Sequence, residues 1–338
     1  MVKPLLFVAM TLQLSVGLLA PTRAAALPMD LDFKNFQEKP AVLSKGRAEQ
    51  IDEFSYLFVG GYGNELARGH YFKFNIQSLR EMGANFADSY FPSSFRAAGA
   101  NLEALRAEVL RAFRQSGERP VMLFGHSKGG LESLALVLKY PELIRDGIVA
   151  NVTLIQAPIG GNSLADESRL LTRLTARALR LAPGFHSLQT VGINSLIKDK
   201  IDKLRPEDLR LVSRAVRYVV SHKDSADASF VIHAVTRALG HQPKNDLLVA
   251  KSDMWIPGFG TILGSLYINH FEVVMGRAIP LIAENLTYDY VRAFTESMIV
   301  NLLRSRNRNT LQYRFLTENQ MVERFGARSC ADLFYQIN

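Results

Sequence analysis

The chain has 338 residues, 48% of them hydrophobic, which excludes a disordered polar chain and suits one large core or two small ones. Its formal charge is +8, but no interleaved aromatic and basic motif accompanies the surplus, so nucleic acid is excluded as the partner. Cys330 is the only cysteine, so no intrachain disulfide can form.

In chain order, Lys3 precedes an uncharged stretch from Pro4 to Thr22, and Ala24-Ala25-Ala26 follows as a small-residue cleavage site. Those three parts predict a cleavable signal peptide over residues 1–26, and a secreted or periplasmic location. Its removal takes away Lys3 and Arg23 and no acid, leaving a charge of +6. A secretory route without disulfides fits a bacterial protein better than a eukaryotic extracellular one. A polar leader occupies residues 27–50.

Strand-like and helix-like segments then alternate. Phe54–Gly60 reads as a strand that ends in the turn Gly60-Gly61-Tyr62-Gly63. Gln77–Met82 is helix-like and Ala84–Phe91 strand-like. Ala100–Gln115 carries Leu102, Leu105, Val109, Leu110 and Phe113 at helical spacing. The apolar run Val121–Phe124 leads into Gly125-His126-Ser127-Lys128-Gly129-Gly130, a helix-like segment spans Leu131–Lys139, Pro141 stops it, and Ile148–Gln156 reads as another strand. Such alternation predicts an α/β fold with a mostly parallel central sheet and helices on both faces. From residue 162 to 243 the pattern turns mostly helical, with one strand candidate at Tyr218–Ser221. Thirteen Lys/Arg against eight Asp/Glu give this segment +5. Strand-like patterning resumes at Leu247-Leu248-Val249 and Thr261–Ile268, and helix returns at Tyr288–Leu303. The expected organisation is a core of 51–161 and 244–338, interrupted by a helical cap at 162–243.

A strand that breaks sharply into a helix at Gly-x-Ser-x-Gly strains the backbone at the serine and lifts its hydroxyl off the sheet edge. The alternative is a Gly-rich turn with an inert serine. A serine hydroxyl needs a histidine to take its proton and an acid to orient that histidine. With His126 set aside inside the motif, six histidines remain: His70, His186, His222, His233, His241 and His270. Only His270 follows a late strand-like segment and precedes a helical one. Asp246 is the first candidate for the acid, and Asp224 the alternative together with Asp227; Asp253 ranks lower, beside Trp255. The backbone N–H of Lys128 and of Tyr62 are the expected donors to an oxyanion. No metal or cofactor is expected.

These residues resemble the α/β-hydrolase lipases of the bacterial triacylglycerol lipase type, over most of residues 54–300 but through four short blocks. Leu57–Gly63 is similar to the family's oxyanion strand and turn, and Gly125–Gly130 to its Gly-His-Ser-x-Gly-Gly elbow. Val152–Asp166 is similar to the block where a lid insertion begins. Asn245–Val249 together with Asn269–Glu272 resembles the acid and histidine blocks, which ranks Asp246 above Asp224. Three positions depart from the pattern. The usual His-Gly of the oxyanion turn is Gly60-Gly61, Lys128 replaces an apolar or amide residue, and Glu272 stands where some of these lipases carry a calcium-binding aspartate.

The resemblance implies a secreted serine esterase acting on lipid-like acyl esters; an acyltransferase or thioesterase is the alternative, since it would use the same residues with a different acceptor. A lipid- or partner-binding homologue without catalysis is the third reading. In the cap, Arg169, Arg173, Arg177 and Arg180 fall within roughly 80° on a helical wheel, beside an arc of Leu170, Leu171, Leu174 and Leu181. One reading is a basic amphipathic helix in peripheral contact with an anionic membrane surface. The other is a cap helix with its leucines on the core and its arginines in water.

Overall fold

The computed structural model describes residues 45–62, 64, 69–93, 96–161, 188, 190–223, 245–246, 248–275 and 288–307. Helix α1 (Lys45–Asp52) leads into strand β1 (Ser55–Val59), followed by α2 (Lys73–Glu81), β2 (Ala87–Tyr90) and α3 (Leu102–Gln115). Strand β3 (Val121–His126) runs into α4 (Lys128–Lys139), and a short α5 (Glu142–Arg145) precedes β4 (Val149–Ile155). Then come α6 (Thr190–Lys203), α7 (Pro206–Ala215), β5 (Val216–His222), a 3-10 turn at Lys251–Met254, β6 (Thr261–Tyr267) and α8 (Tyr288–Asn307).

The strands form one sheet in the order β2-β1-β3-β4-β5-β6, with every neighbouring pair parallel. Parallel strands need crossover connections, and the helices that provide them cover both faces. The central strands are accordingly buried along their whole length, all five residues of β1 and all six of β3. Their side chains alternate between two cores. Leu57, Val59, Val121 and Leu123 pack with Leu105 and Val109 of α3, Leu134 of α4 and Ile193 and Ile197 of α6. Tyr56, Phe58, Met122 and Phe124 pack with Leu79 of α2 and Phe294 and Met298 of α8. Phe58 stacks on Phe124 with ring centroids 4.8 Å apart.

The strand order matters for the site. The chain starts in β1, moves outward to β2, then returns to the other side of β1 as β3. That reversal puts a topological switch point at the carboxyl ends of β1 and β3, the position at which open α/β sheets bind ligands.

Two sequence expectations change. The interval 162–243 is not a single helical insertion, because it holds β5, which pairs with β4 on one side and β6 on the other. The strand candidate at Tyr218–Ser221 is the middle of that strand; its β-branched and aromatic residues are buried between neighbours, while the surrounding helical composition masks them. The predicted strand at Leu247–Val249 is a turn at Leu248 and Val249, closed by a bridge between Asn245 and Ala250. Residues 1–44, the arginine-rich segment 169–180 and the tail beyond Asn307 lie outside the described residues.

Candidate active site

Ser127 links the end of β3 to the first turn of α4 with φ 54° and ψ −127°. A side chain at positive φ costs on the order of 1–3 kcal/mol and persists only where surrounding structure enforces it. Here the enforcement is visible. The Ser127 N–H donates to the Ile155 carbonyl at 2.9 Å, and its own carbonyl accepts from Gly130 N–H at 2.9 Å. The two glycines of the motif make the turn possible by close approach. A Cβ on Gly125 would stand 2.5 Å from the Gly129 carbonyl oxygen, and one on Gly129 would stand 2.3 Å from the Val59 carbonyl oxygen.

The Gly60-Gly61 turn at the end of β1 lies against the serine. A Cβ on Gly61 would meet Ser127 Cβ at 2.8 Å and the His126 carbonyl oxygen at 2.9 Å. The Gly61 N–H donates to Tyr71 Oη at 3.2 Å, and Asn64 Nδ2 donates to the carbonyls of Gly61 at 2.9 Å and Pro92 at 2.8 Å. Tyr62 follows directly, half-buried, and Gly63 is outside the described residues. Lys128 opens α4 directly after the serine.

The Lys128 side chain turns away into the protein. Its ammonium lies 3.2 Å from Glu132 Oε1 and donates to the Ser93 carbonyl at 3.1 Å. Asn101 Nδ2 donates to the same Glu132 oxygen at 2.9 Å. Burial pushes the Glu132 carboxyl above its ordinary value, opposed by the Lys128 charge and the hydrogen bonds. The departure at position 128 therefore ties α4 to the loop before α3 and leaves its charge inside an ion pair.

His270 lies just beyond β6 and is buried. Its Nδ1 is 2.6 Å from Asp246 Oδ2, and its N–H donates to the Asp246 carbonyl at 2.9 Å. A carboxylate can only accept, so Nδ1 carries a proton, and in the neutral ring Nε2 is the nitrogen that bears the lone pair. The other Asp246 oxygen accepts the N–H groups of Leu248 at 3.0 Å and Val249 at 2.8 Å, which fix the carboxylate in its turn. Asp224 and Asp227 are outside the described residues.

Glu272 is engaged on both oxygens, by Lys223 Nζ at 2.5 Å and by the Asn269 N–H at 2.7 Å. The Lys223 N–H donates to the Asn245 carbonyl at 2.8 Å, so one residue after β5 holds both the acid loop and the histidine loop. Among the described residues, no group of three or more His, Cys, Asp or Glu is arranged to hold a metal ion.

Sequence reasoning set His126 aside and did not consider Tyr71 or Gln156. His126 Nδ1 lies 2.5 Å from Tyr71 Oη, and its Nε2 lies 2.8 Å from the His270 carbonyl and 3.2 Å from Gln156 Oε1. Gln156 Nε2 donates to Ser221 Oγ at 2.6 Å and to the Asn269 carbonyl at 2.9 Å. The rings of His126 and His270 stand 4.6 Å apart, so the residue beside the serine packs on the histidine that the sequence assigns to it. The only signal for His126 is its place inside the motif; Tyr71 and Gln156 carry none, because their partners are remote in sequence.

No protein-family model matches the chain, and no curated protein matches its sequence. Solved structures do match its backbone. A metagenomic carboxyl esterase is similar with a TM-score of 0.61 and 18% identity, over 75% of this chain and 76% of that one. The propeptide form of a Bacillus licheniformis lipase is similar with a TM-score of 0.52 and 20% identity, over 69% of this chain and 51% of that one. With the parallel six-stranded sheet and the strained serine turn at its switch point, these likenesses identify the fold of this chain as the α/β-hydrolase fold.

Proposed function

We propose that the protein is a serine hydrolase that cleaves carboxylic esters, with lipid-like acyl esters as its substrates. The observation that carries this reading is Ser127 in a strained turn, with Gly61 against it and the hydrogen-bonded His270–Asp246 pair packed on the adjoining His126. In this reading His270 Nε2 takes the Ser127 hydroxyl proton as Oγ attacks the ester carbonyl. The N–H groups of Tyr62 and Lys128 receive the developing oxyanion. Collapse expels the alcohol, which takes the proton from His270, and leaves an acyl group on Ser127. Water, deprotonated by the same nitrogen, then releases the acid. Asp246 holds the imidazole in the required tautomer throughout and stabilises its charged form.

The lipid-like substrate is supported by the sequence resemblance and by the basic amphipathic pattern at 169–180, a candidate for peripheral contact with an anionic membrane surface. Residues 1–26 fit a signal peptide, hence secretion or periplasmic export. The test is hydrolysis of nitrophenyl esters from short to long acyl chains by the purified protein and by Ser127→Ala. The expected outcome is turnover in the first and its loss in the second, with a long-chain preference that rises on anionic vesicles. Acyl transfer to an added alcohol or thiol in preference to water would make the protein an acyltransferase. Absence of turnover in a folded wild-type protein would sink the ester-hydrolase reading.

A further inference from the structure

The oxyanion turn and the histidine loop lie far apart in the chain, yet one run of buried hydrogen bonds joins them through His126, the residue before Ser127. The direction of that run follows from its ends. The His270 carbonyl is only an acceptor, so His126 Nε2 carries the proton that it receives at 2.8 Å. His126 is neutral, since burial, then the neighbouring His270, holds its pKa well below the usual value. Nδ1 is therefore an acceptor, and the Tyr71 hydroxyl donates to it at 2.5 Å. Burial keeps that phenol protonated, and its oxygen in turn accepts the Gly61 N–H at 3.2 Å. Every donor and acceptor in the run has one assignment.

The surrounding backbone reinforces the link. Tyr71 pairs with Met275 across an isolated antiparallel bridge, and the Phe72 N–H donates to the Val274 carbonyl at 2.6 Å. Gln156 holds the Asn269 carbonyl next to the one that His126 holds. Tyr71 and His126 are buried, and the polar atoms of both side chains are engaged within the run.

We propose that Tyr71 and His126 are positioning residues, a single hydrogen-bonded unit that sets the oxyanion turn and the catalytic histidine loop in register on either side of Ser127. This rests on the serine-hydrolase reading above. Removing the Tyr71 hydroxyl frees Gly61 N–H and His126 Nδ1 together, so the donor at Tyr62 and the base at His270 lose their common reference. A misplacement of about 1 Å at such groups costs on the order of a hundredfold in rate.

The experiment compares Tyr71→Phe with Tyr56→Phe. Tyr56 is the control: its hydroxyl makes a buried 2.7 Å bond to the Ile51 carbonyl, remote from the site. Three quantities are measured: the rate of Ser127 labelling by a fluorophosphonate, kcat and KM on a short-chain nitrophenyl ester, and the thermal unfolding midpoint. The expected result is a labelling rate and kcat about tenfold to a hundredfold lower in Tyr71→Phe, with KM within about twofold of wild type. Tyr56→Phe loses a comparable amount of thermal stability and keeps wild-type rates. In a His126→Gln background, Tyr71→Phe adds less than about twofold, because the unit is already broken. Wild-type labelling in Tyr71→Phe, rate losses that track stability in both tyrosine variants, or fully additive effects with His126→Gln each overturn the proposal while the hydrolase reading stands. A wild-type protein that the fluorophosphonate does not label overturns both.

Discussion

Two buried side chains at the site make predictions at the residue scale. Asp246 has both carboxylate oxygens occupied, one by the His270 ring and one by two backbone N–H groups. Asp246→Asn keeps the turn's shape but presents an amide to Nδ1, which favours the wrong imidazole tautomer. On the proposed mechanism kcat falls by about 10³–10⁴-fold with the fold retained, measured by ester turnover and circular dichroism. His126 makes a prediction about pH. Its folded-state pKa lies below the ordinary 6.5, so above pH 6.5 it is neutral folded or unfolded and its contribution to stability is fully present. Below that pH the unfolded chain binds a proton that the folded one refuses, and stability falls. Urea unfolding at pH 7.5 and 5.5 is expected to show wild type losing stability relative to His126→Gln over that interval. A pH-independent difference between the two proteins would contradict the neutral, buried imidazole.

The scale of the element is where the glycines act. β3 can turn into α4 only because Gly125 and Gly129 bring backbone within reach of backbone, and Gly129 also lets α4 pass the end of β1. A methyl group on Gly129 meets the Val59 and Gly60 carbonyl oxygens at 2.3 and 2.6 Å, contacts that no rotamer relieves. Gly129→Ala is therefore expected to lower stability by about 3 kcal/mol or more. Gly147, at φ 73° with open space around it, is the comparison. Gly147→Ala is expected to cost only about 1–2 kcal/mol, from backbone strain alone. Denaturant unfolding of the two variants separates steric conflict from conformational strain, and equal losses would mean that α4 can shift away from β1.

For the whole molecule, the decisive fact is that β5 lies inside the sheet. It joins β4 to β6 and brings Lys223 to the acid and histidine loops. A chain in which residue 161 is joined directly to residue 244 would leave a removable cap's core intact if 162–243 were only an insertion. With β5 gone, β4 and β6 lose their shared partner, and Val219 and Val220 leave both cores. The excised protein is expected to show no cooperative unfolding transition, and a wild-type-like transition would restore the simple insertion. The same excision removes Lys223 from Glu272 and leaves the histidine loop without its cation.

The sequence by itself determined the alternation of strands and helices and the turn at Ser127, because hydrophobic periodicity and glycine at close approaches are local properties. It also ranked His270 and Asp246, through chain order and short blocks of resemblance, and the structure places those two side chains 2.6 Å apart. Only the tertiary structure decided that β5 belongs to the sheet, since the burial of Tyr218 and Val219 depends on neighbours distant in sequence. It likewise decided that the Lys128 charge is neutralised within the fold, and that Tyr71, His126 and Gln156 surround the histidine loop. A hydrogen bond spanning 55 residues, from Tyr71 to His126, or 144, from His126 to the His270 carbonyl, leaves no periodic trace in a chain. Such contacts exist only once the sheet has brought the ends of its strands together.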